Sequence, residues 1–318
     1  MTNVEHDDVL TQVEDKASRE AQLVAQHYNR RPDLGREARK DSVIVRLRAF
    51  NNWIKTVLIT AHILKPGSTA LDLGCGKGGD IGKWRKAKIS HLVGMDIAQE
   101  SINHAKARFD DRMDCYGEPI SRSILPNIAF DIVSMQFCMH YAFNTEQRVR
   151  MMLHNVSSQL KVGGMFVGTI PNSNWLVRKL RNPVPNEFGN SVYKVRFEDP
   201  DQISSRTFGC KYYFTLVDAV EDCAEYLVHF PSFEKIAREF GLTLLFKKSF
   251  HEYYQSALKH SHNKQLLYNM RVILDSHQAA NTGEPAHMTP DEWECANIYM
   301  VFAFKKESPY VGPAPSMS

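Results

Sequence analysis

The run Leu71-Asp72-Leu73-Gly74-Cys75-Gly76-Lys77-Gly78-Gly79-Asp80 constrains this chain more than any other segment. Thr69-Ala70-Leu71 before it reads as the end of a buried strand. Ile81-Gly82-Lys83-Trp84-Arg85-Lys86 after it reads as the first turns of a helix. Strand, glycine turn and helix together let a backbone approach a bound nucleoside closely. Glycines at 74 and 76 permit a positive φ and put no Cβ in a ligand's way. The free N–H groups at a helix start favour a carboxylate or phosphate.

A second strand, His91-Leu92-Val93-Gly94-Met95-Asp96, ends in an acid where doubly wound nucleotide sites place a carboxylate for ribose hydroxyls. Gly74-x-Gly76-x-x-Gly79 also fits the dinucleotide fingerprint, so a nicotinamide enzyme is one reading. Asp72 argues against it. An anionic pyrophosphate gains nothing from that charge, whereas the sulfonium and ammonium of S-adenosylmethionine do. Asp72-Leu73-Gly74-Cys75-Gly76 resembles the first motif of class I methyltransferases. A Walker loop is excluded, because no Gly-Lys-Ser/Thr follows the glycines.

The surrounding chain alternates as a parallel, doubly wound sheet requires. Expected strands are 69–73, 91–96, 130–137 and 164–170, with helices at about 79–88, 98–108 and 145–160 between them. Residues 172–230 break the alternation with prolines, glycines and aromatics, including Asn182-Pro183-Val184-Pro185, and read as an inserted lid or substrate wall. Helix 232–240 and strands 242–247 and 298–304 complete the sheet, and 250–290 is helical or looped. Before the glycine run, Val43, Ile44, Leu47, Phe50, Trp53, Ile54, Val57, Leu58 and Ile63 recur at helical spacing and read as core. Asn51, Asn52 and Lys55 fall on a different face. The expected division is a disordered or helical tail over 1–25, a catalytic domain over 26–306 and a disordered tail over 307–318.

Charge is mild overall, at +3, but uneven: seven Lys or Arg lie between Arg30 and Arg48 against three acids. Shorter basic runs are Lys83, Arg85, Lys86, Lys88 and Arg178, Lys179, Arg181. Each alone reads as a solvated helix face; together they suit a polyanionic substrate. Six cysteines are scattered without a Cys-x-x-Cys, which points to a reducing compartment without a zinc site or disulfide framework. No apolar window spans a bilayer, and no signal-peptide core is visible, so a soluble intracellular protein is expected.

With these motifs in order, the chain resembles the eukaryotic mRNA cap guanine-N7 methyltransferases over roughly 26–306. The resemblance rests on His27-Tyr28-Asn29, Phe50-Asn51-Asn52-Trp53-Ile54-Lys55, the glycine run and Asp96-Ile97-Ala98. It continues through Gln136-Phe137 with His140-Tyr141, Thr169-Ile170-Pro171-Asn172, Phe208-Gly209-Cys210-Lys211-Tyr212, Glu225-Tyr226-Leu227-Val228 and Ile298-Tyr299. It implies a Rossmann-like α/β fold with a doubly wound, mostly parallel, seven-stranded sheet and an inserted cap-binding lid. It implies S-adenosyl-L-methionine as donor, leaving as S-adenosyl-L-homocysteine. Donor contacts carried over are Lys55, Asp72, Gly74, Asp96, Ile97, Asp114, Gln136 and Tyr141. Lys55 would meet the donor's carboxylate, Asp96 the ribose, and Asp114 the adenine amino group. Cap contacts carried over are Asn51, Asn52, Lys77, Lys83, Arg108, His140, Glu225 and Tyr299. Glu225 would accept the guanine N1–H and N2 donors, and the basic residues suit the triphosphate bridge.

The same resemblance implies a nuclear enzyme acting on the capped 5′ end of mRNA, with other capping enzymes or the transcription machinery as further partners, no membrane and a monomeric state. Guanine N7 carries a free lone pair at neutral pH. The expected catalysis is therefore in-line positioning by Tyr141, His140 and Glu225, with no general base and no metal. His140 or Glu225 acting as a base is the lesser alternative. Competing readings are a small-molecule methyltransferase, a catalytically silent cap-binding subunit and a nicotinamide oxidoreductase. The first leaves Asn51, Asn52, Lys83 and Arg108 unexplained, and the second leaves the intact donor set unexplained.

Overall fold

The computed structural model describes residues 19, 22–30, 41–108, 113–116, 129–180, 186–282, 286–310, 312 and 315. Strands β1 (Thr69–Leu73), β2 (His91–Met95), β3 (Met113–Tyr116), β4 (Phe130–Gln136) and β5 (Leu160–Pro171) pair in parallel. Later in the chain come β6 (Glu187–Gly189), β7 (Tyr193–Phe197), β8 (Lys211–Leu216), β9 (Val220–Tyr226), β10 (Leu242–Ser249) and β11 (Tyr299–Lys306). The main sheet has seven strands in the order β10-β11-β5-β4-β1-β2-β3, and β11 runs antiparallel to both its neighbours. The strand order reverses between β1 and β4. Their carboxyl ends therefore open a crevice at a topological switch point, where ligands bind open α/β sheets.

Helices α1 (Val45–His62), α2 (Ile81–Lys86), α3 (Gln99–Arg108), α4 (Glu146–Gln159) and α5 (Ser173–Leu180) accompany the first five strands. α6 (Phe230–Glu239), α7 (Phe250–Ala257), α8 (Ser261–Asn269), α9 (Ser276–Thr282) and α10 (Pro290–Ala296) follow. The period-2 alternation of the strands divides the core. Ala70, Ile132, Val167, Val301 and Ala303 face α1, whereas Leu71, Val133, Phe166, Phe302 and Phe304 face α4 and α6. The apolar stripe of α1 is buried at Leu47, Phe50, Trp53, Ile54, Val57 and Leu58. Burial of each contributes about 1.5–3 kcal/mol. α1 has no side-chain cap of its own. Instead the buried Glu292, from the capping box that starts α10, accepts the Leu47 N–H at 3.0 Å.

The inserted segment is a four-stranded antiparallel sheet in the order β6-β7-β8-β9. It shares the α1-side core: Phe214 and Phe250 both pack on Tyr299, with ring centroids 6.4 and 5.6 Å away. It is a wall continuous with the main domain. Asn182 to Pro185, the proline pair of the insertion, and Arg181 lie outside the described residues, as does the tail before 19.

Several boundaries differ from the sequence reading. The helix expected over 79–88 is shortened to Ile81–Lys86, because Gly78 (φ 72°) and Lys88 (φ 59°) turn the backbone left-handed at its ends. Val43 precedes α1 and is exposed, so it is not part of the apolar stripe. β5 begins at Leu160, not at Gly164. The described residues of 250–289 contain three helices, α7, α8 and α9. Disorder from 307 is corrected for 307–310: Glu307 N–H donates to the Gly241 carbonyl at 2.9 Å, and Tyr310 stacks on Phe240 at 4.6 Å.

Candidate active site

The glycine run turns tightly over the tip of β2. Gly74 N–H and Cys75 N–H both donate to the Met95 carbonyl, at 2.7 and 3.0 Å. Gly74 has φ 73°, and a Cβ there would lie 2.5 Å from Cys138 Sγ. Cys138 itself donates to the Leu73 carbonyl at 3.1 Å. Gly74 is therefore required both by its conformation and by the close approach of the β4 end. Asp96 is fixed at the rim of the turn, its two carboxylate oxygens accepting Gly76 N–H and Ala98 N–H at 2.8 Å each. Burial raises its pKa despite those bonds. Ile97 beside it is exposed, an apolar side chain left facing outward at the crevice rim.

Below the turn, three buried charges, Asp72, Asp80 and Lys83, lie with the half-buried Lys55. Asp80 accepts Lys83 Nζ at 2.5 Å and Lys55 Nζ at 2.8 Å. Lys83 also donates to Asn52 Oδ1 at 3.0 Å. Burial pulls the Lys83 pKa down, and Lys55 adds repulsion. Asp72, 2% exposed, accepts the Trp84 indole N–H at 3.4 Å. The two carboxyls are driven apart. Desolvation and the Asp80 charge raise the Asp72 pKa, while Lys55 and Lys83 outweigh desolvation and hold Asp80 low. A carboxyl poised in this way is stabilised as an anion by a cationic ligand, and disfavours a pyrophosphate.

The opposite wall is built from the β4 end and the inserted sheet. Phe137, at φ 59°, is a non-glycine residue in left-handed backbone, held by its N–H to Thr169 Oγ1 at 3.0 Å. That kink aims Phe137 at Tyr299, centroid to centroid 4.9 Å, and beneath Lys55 Nζ at 5.9 Å. A 3-10 turn, Met139–Asn144, then carries His140 and Tyr141, whose rings lie 4.4 Å apart. Across from them Glu225, 6% exposed, accepts the Tyr212 hydroxyl at 2.5 Å. Its other oxygen lies 3.4 Å from His140 Nε2. Burial first, and then Glu225, push the Tyr212 and Tyr299 phenols well above their ordinary pKa, so both stay protonated.

Polar atoms without partners mark the same place. Asn51 Oδ1, Gln136 Oε1 and both ring nitrogens of His140 are buried with no hydrogen-bond partner among the described residues. Gln136 keeps only its Nε2 bond to Ser134 Oγ, at 3.1 Å. Leaving such atoms unpaired costs about 1–3 kcal/mol each. A ligand rich in donors and acceptors would remove that cost, so these residues fit a nucleoside-type donor and a guanine.

The structure thus gathers Asn51, Asn52, Lys55, Asp72, Gly74, Asp96, Ile97, Gln136, His140, Tyr141, Glu225 and Tyr299 around one crevice. Lys77 follows the turn and is half-buried. Lys83, read from sequence as part of a solvated basic face, is only 8% exposed and bonded to Asp80 and Asn52. Asp114 lies in β3 opposite Val93, and Arg108 ends α3; their side chains lie outside the described residues.

Sequence reasoning missed four participants. Asp80 closed the glycine run but had no role. Tyr212 was part of a motif only, although its place opposite Glu225 follows from hairpin register. Tyr28 and Asn29, in the helical segment 22–30, bridge two sides of the crevice. Tyr28 hydroxyl pairs with that of Tyr141 at 3.0 Å, and Asn29 Oδ1 accepts Glu100 N–H of α3 at 3.0 Å.

The profile of the mRNA (guanine-N(7))-methyltransferase domain matches residues 11–307. The chain belongs to the mRNA (guanine-N(7))-methyltransferase family. It is 40% identical over 301 residues to an mRNA cap guanine-N(7) methyltransferase of Schizosaccharomyces pombe, covering 89% of this chain and 82% of that one. It is 42% identical over 310 residues to the protein of that name from Cryptococcus neoformans, covering 91% of this chain and 48% of the relative. The chain thus spans about half the length of that fungal protein. The family fold extends to solved methyltransferases. The plantazolicin methyltransferase BpumL, in complex with a triazolic desmethylPZN analog and SAH, superposes with a TM-score of 0.52 at 13% identity, covering 95% of this chain and 99% of that one. No helix among the described residues of this family member is long and apolar enough to cross a membrane.

Proposed function

We propose that this chain transfers a methyl group from S-adenosyl-L-methionine to N7 of the guanosine cap of mRNA. The observation that carries the reading is the buried Glu225 carboxylate, held by Tyr212 and facing a His140 ring without hydrogen-bond partners. A carboxylate so placed can accept the adjacent N1–H and N2–H donors of guanine, which no other common base presents together. When bound, S-adenosyl-L-methionine supplies the methyl group: guanine N7 gives its lone pair to the methyl carbon, and the carbon–sulfur electron pair leaves with S-adenosyl-L-homocysteine.

The chain's own residues position and polarise. Asp96, Ile97 and the Gly74–Gly76 turn cradle the donor's adenosine side, with Asp114 toward the adenine. Lys55, Asp72 and Gln136 take its amino-acid end. Tyr141, a neutral phenol because burial keeps its pKa high, packs beside His140 and limits how the guanine can tilt. Tyr299 and His140 hold the base. Asn51, Asn52, Lys77, Lys83 and Arg108 surround the ribose and triphosphate bridge, Lys83 acting partly through Asn52. No proton has to leave N7, so the site needs no general base or metal, and its contribution is orientation worth several kcal/mol. Aromatic faces and the buried carboxylates favour the positive charge that passes from sulfonium to guanine.

The catalytic domain in this reading is 26–306, and the enzyme acts as a nuclear monomer on nascent transcripts, beside other capping enzymes or the transcription machinery. The test is methyl transfer from labelled donor to RNA ending in an unmethylated guanosine cap, followed by digestion. Label in 7-methylguanosine, lost in Glu225→Ala, is expected. Donor binding without transfer to capped RNA would refute the assignment and favour a small-molecule acceptor.

A further inference from the structure

We propose that Ser134 is a positioning residue for the methyl donor. Through it the Asp72 carboxylate sets which way round the Gln136 carboxamide stands, so that the carbonyl oxygen, and not the amide nitrogen, faces the donor's ammonium. This rests on the reading that Asp72 and Gln136 meet the amino-acid end of S-adenosyl-L-methionine, and it adds the group that orients them.

Topology puts the three side chains together. β1 and β4 are the parallel neighbours at the switch point, and Asp72 and Ser134 stand in register on them. Paired residues on adjacent strands point to the same face, with the strands about 4.8 Å apart. Gln136 lies two residues further along β4, on that same face. Ser134 is fully buried, and Asp72 and Gln136 are 2% and 7% exposed. The hydroxyl is thus withdrawn from bulk water, and its hydrogen bonds are set by these neighbours.

A hydroxyl has one proton to donate and lone pairs to accept with. Gln136 Nε2 donates to Ser134 Oγ at 3.1 Å. The Ser134 hydroxyl donates in turn to Asp72, which pulls the Asp72 pKa down against burial. The reverse arrangement is worse at both ends. A flipped carboxamide would take the hydroxyl's one proton for its own oxygen, leave Asp72 without that donor, and aim its amide hydrogens at a cationic ligand. The anion therefore dictates polarity through the hydroxyl to the carboxamide. Gln136 Oε1 is the group left over, buried with no hydrogen-bond partner among the described residues. Nε2 reaches back along β4 to Ser134, so Oε1 turns to the carboxyl end of the sheet, where the crevice opens. A buried carbonyl oxygen without a partner is satisfied by a donor or a cation. The Asp72 charge and the Gln136 dipole then favour the same ammonium.

The experiment measures binding of two ligands by titration calorimetry. S-adenosyl-L-homocysteine carries the ammonium; methylthioadenosine keeps the adenosine and the thioether but lacks the amino-acid end. The proteins are the wild type, Ser134→Ala, Ser134→Cys and Gln136→Ala. Cysteine fills the space of serine with a weak donor and acceptor. Both Ser134 variants should weaken S-adenosyl-L-homocysteine about fivefold, the worth of one neutral hydrogen bond, and leave methylthioadenosine unchanged. Both should also move the midpoint of its pH-dependent binding upward, because the Asp72 anion loses a donor. Equal weakening of the two ligands, or a Ser134→Cys protein that binds like the wild type, would assign Ser134 to packing and overturn the proposal. Gln136→Ala tests the underlying reading and should weaken S-adenosyl-L-homocysteine at least as much. If it does and neither Ser134 variant does, the relay alone falls. If Gln136→Ala has no effect, the donor reading of Gln136 falls and the relay falls with it.

Discussion

Tyr212 and Glu225 are direct cross-strand neighbours in the β8–β9 hairpin, and the phenol donates to the carboxylate at 2.5 Å in a buried setting. The bond keeps one oxygen of Glu225 fixed while the other faces His140. Tyr212→Phe removes that restraint without emptying the core. A buried hydrogen bond to a charged group is worth about 1.5–3 kcal/mol, so kcat/KM for the cap should fall at least about tenfold. Donor affinity, measured by titration calorimetry, should not change. An unaltered KM for the cap would show that Glu225 is positioned by other means.

Gly74→Ala should damage both stability and donor binding. The substitution forces a side chain into φ 73° backbone and places its Cβ 2.5 Å from Cys138 Sγ. Left-handed strain and overpacking each cost about 1–3 kcal/mol. The double variant Gly74→Ala with Cys138→Ala should recover only the share of the steric cost due to Sγ, because the β-carbon of residue 138 would still lie 2.8 Å from the new methyl. Urea unfolding of the two variants separates the contributions; equal midpoints would refute the contact with Cys138.

Donor binding should be pH-dependent through Asp72. Desolvation, and then the Asp80 charge, push its pKa up to about 7. A cationic donor favours the carboxylate form, so affinity should rise as pH rises through that value and level off above it. Below it, binding should release a proton, visible as a buffer-dependent calorimetric enthalpy. Asp72→Asn should abolish the slope. A wild-type affinity independent of pH would show that the donor's charge does not meet Asp72.

Asp80→Asn leaves the buried Lys83 and the half-buried Lys55 side by side without their common anion. Breaking a buried ion pair in this way costs about 3–5 kcal/mol. The carboxyl is held down to about 2 against an ordinary 3.8, the lysines outweighing its desolvation. Its stabilising contribution is therefore complete above the ordinary value and is lost as pH falls through about 2. Denaturant midpoints of wild type and variant should converge in strong acid. A constant gap would assign the effect to packing.

Much of this architecture is legible in the chain. The glycine run, the acid ending β2 and the alternation of apolar segments follow local rules of backbone freedom and periodicity, so β1, β2, β4 and α4 fall within a few residues of expectation. The α1 stripe is legible for the same reason, except at Val43, where the helix has not yet begun. The insertion is less so. Its strands are short and paired only with each other, and their register depends on turns that composition does not specify.

The site divides along the same line. The residue types for a cationic nucleoside donor and a guanine were present in order in the sequence: Asp72, Gly74, Asp96, Gln136, His140 and Glu225. Their partners were not. Lys55 and Lys83 meet Asp80, Tyr212 meets Glu225, and Tyr28 meets Tyr141 only because strands and helices distant in the chain pack together. Short-range propensity and motif spacing, both properties of neighbouring residues, determined the fold class and the family. Burial and charge pairing, which depend on groups far apart in sequence, were decided only by the tertiary structure. They set which carboxyl is pushed up and which lysine is withdrawn from solvent.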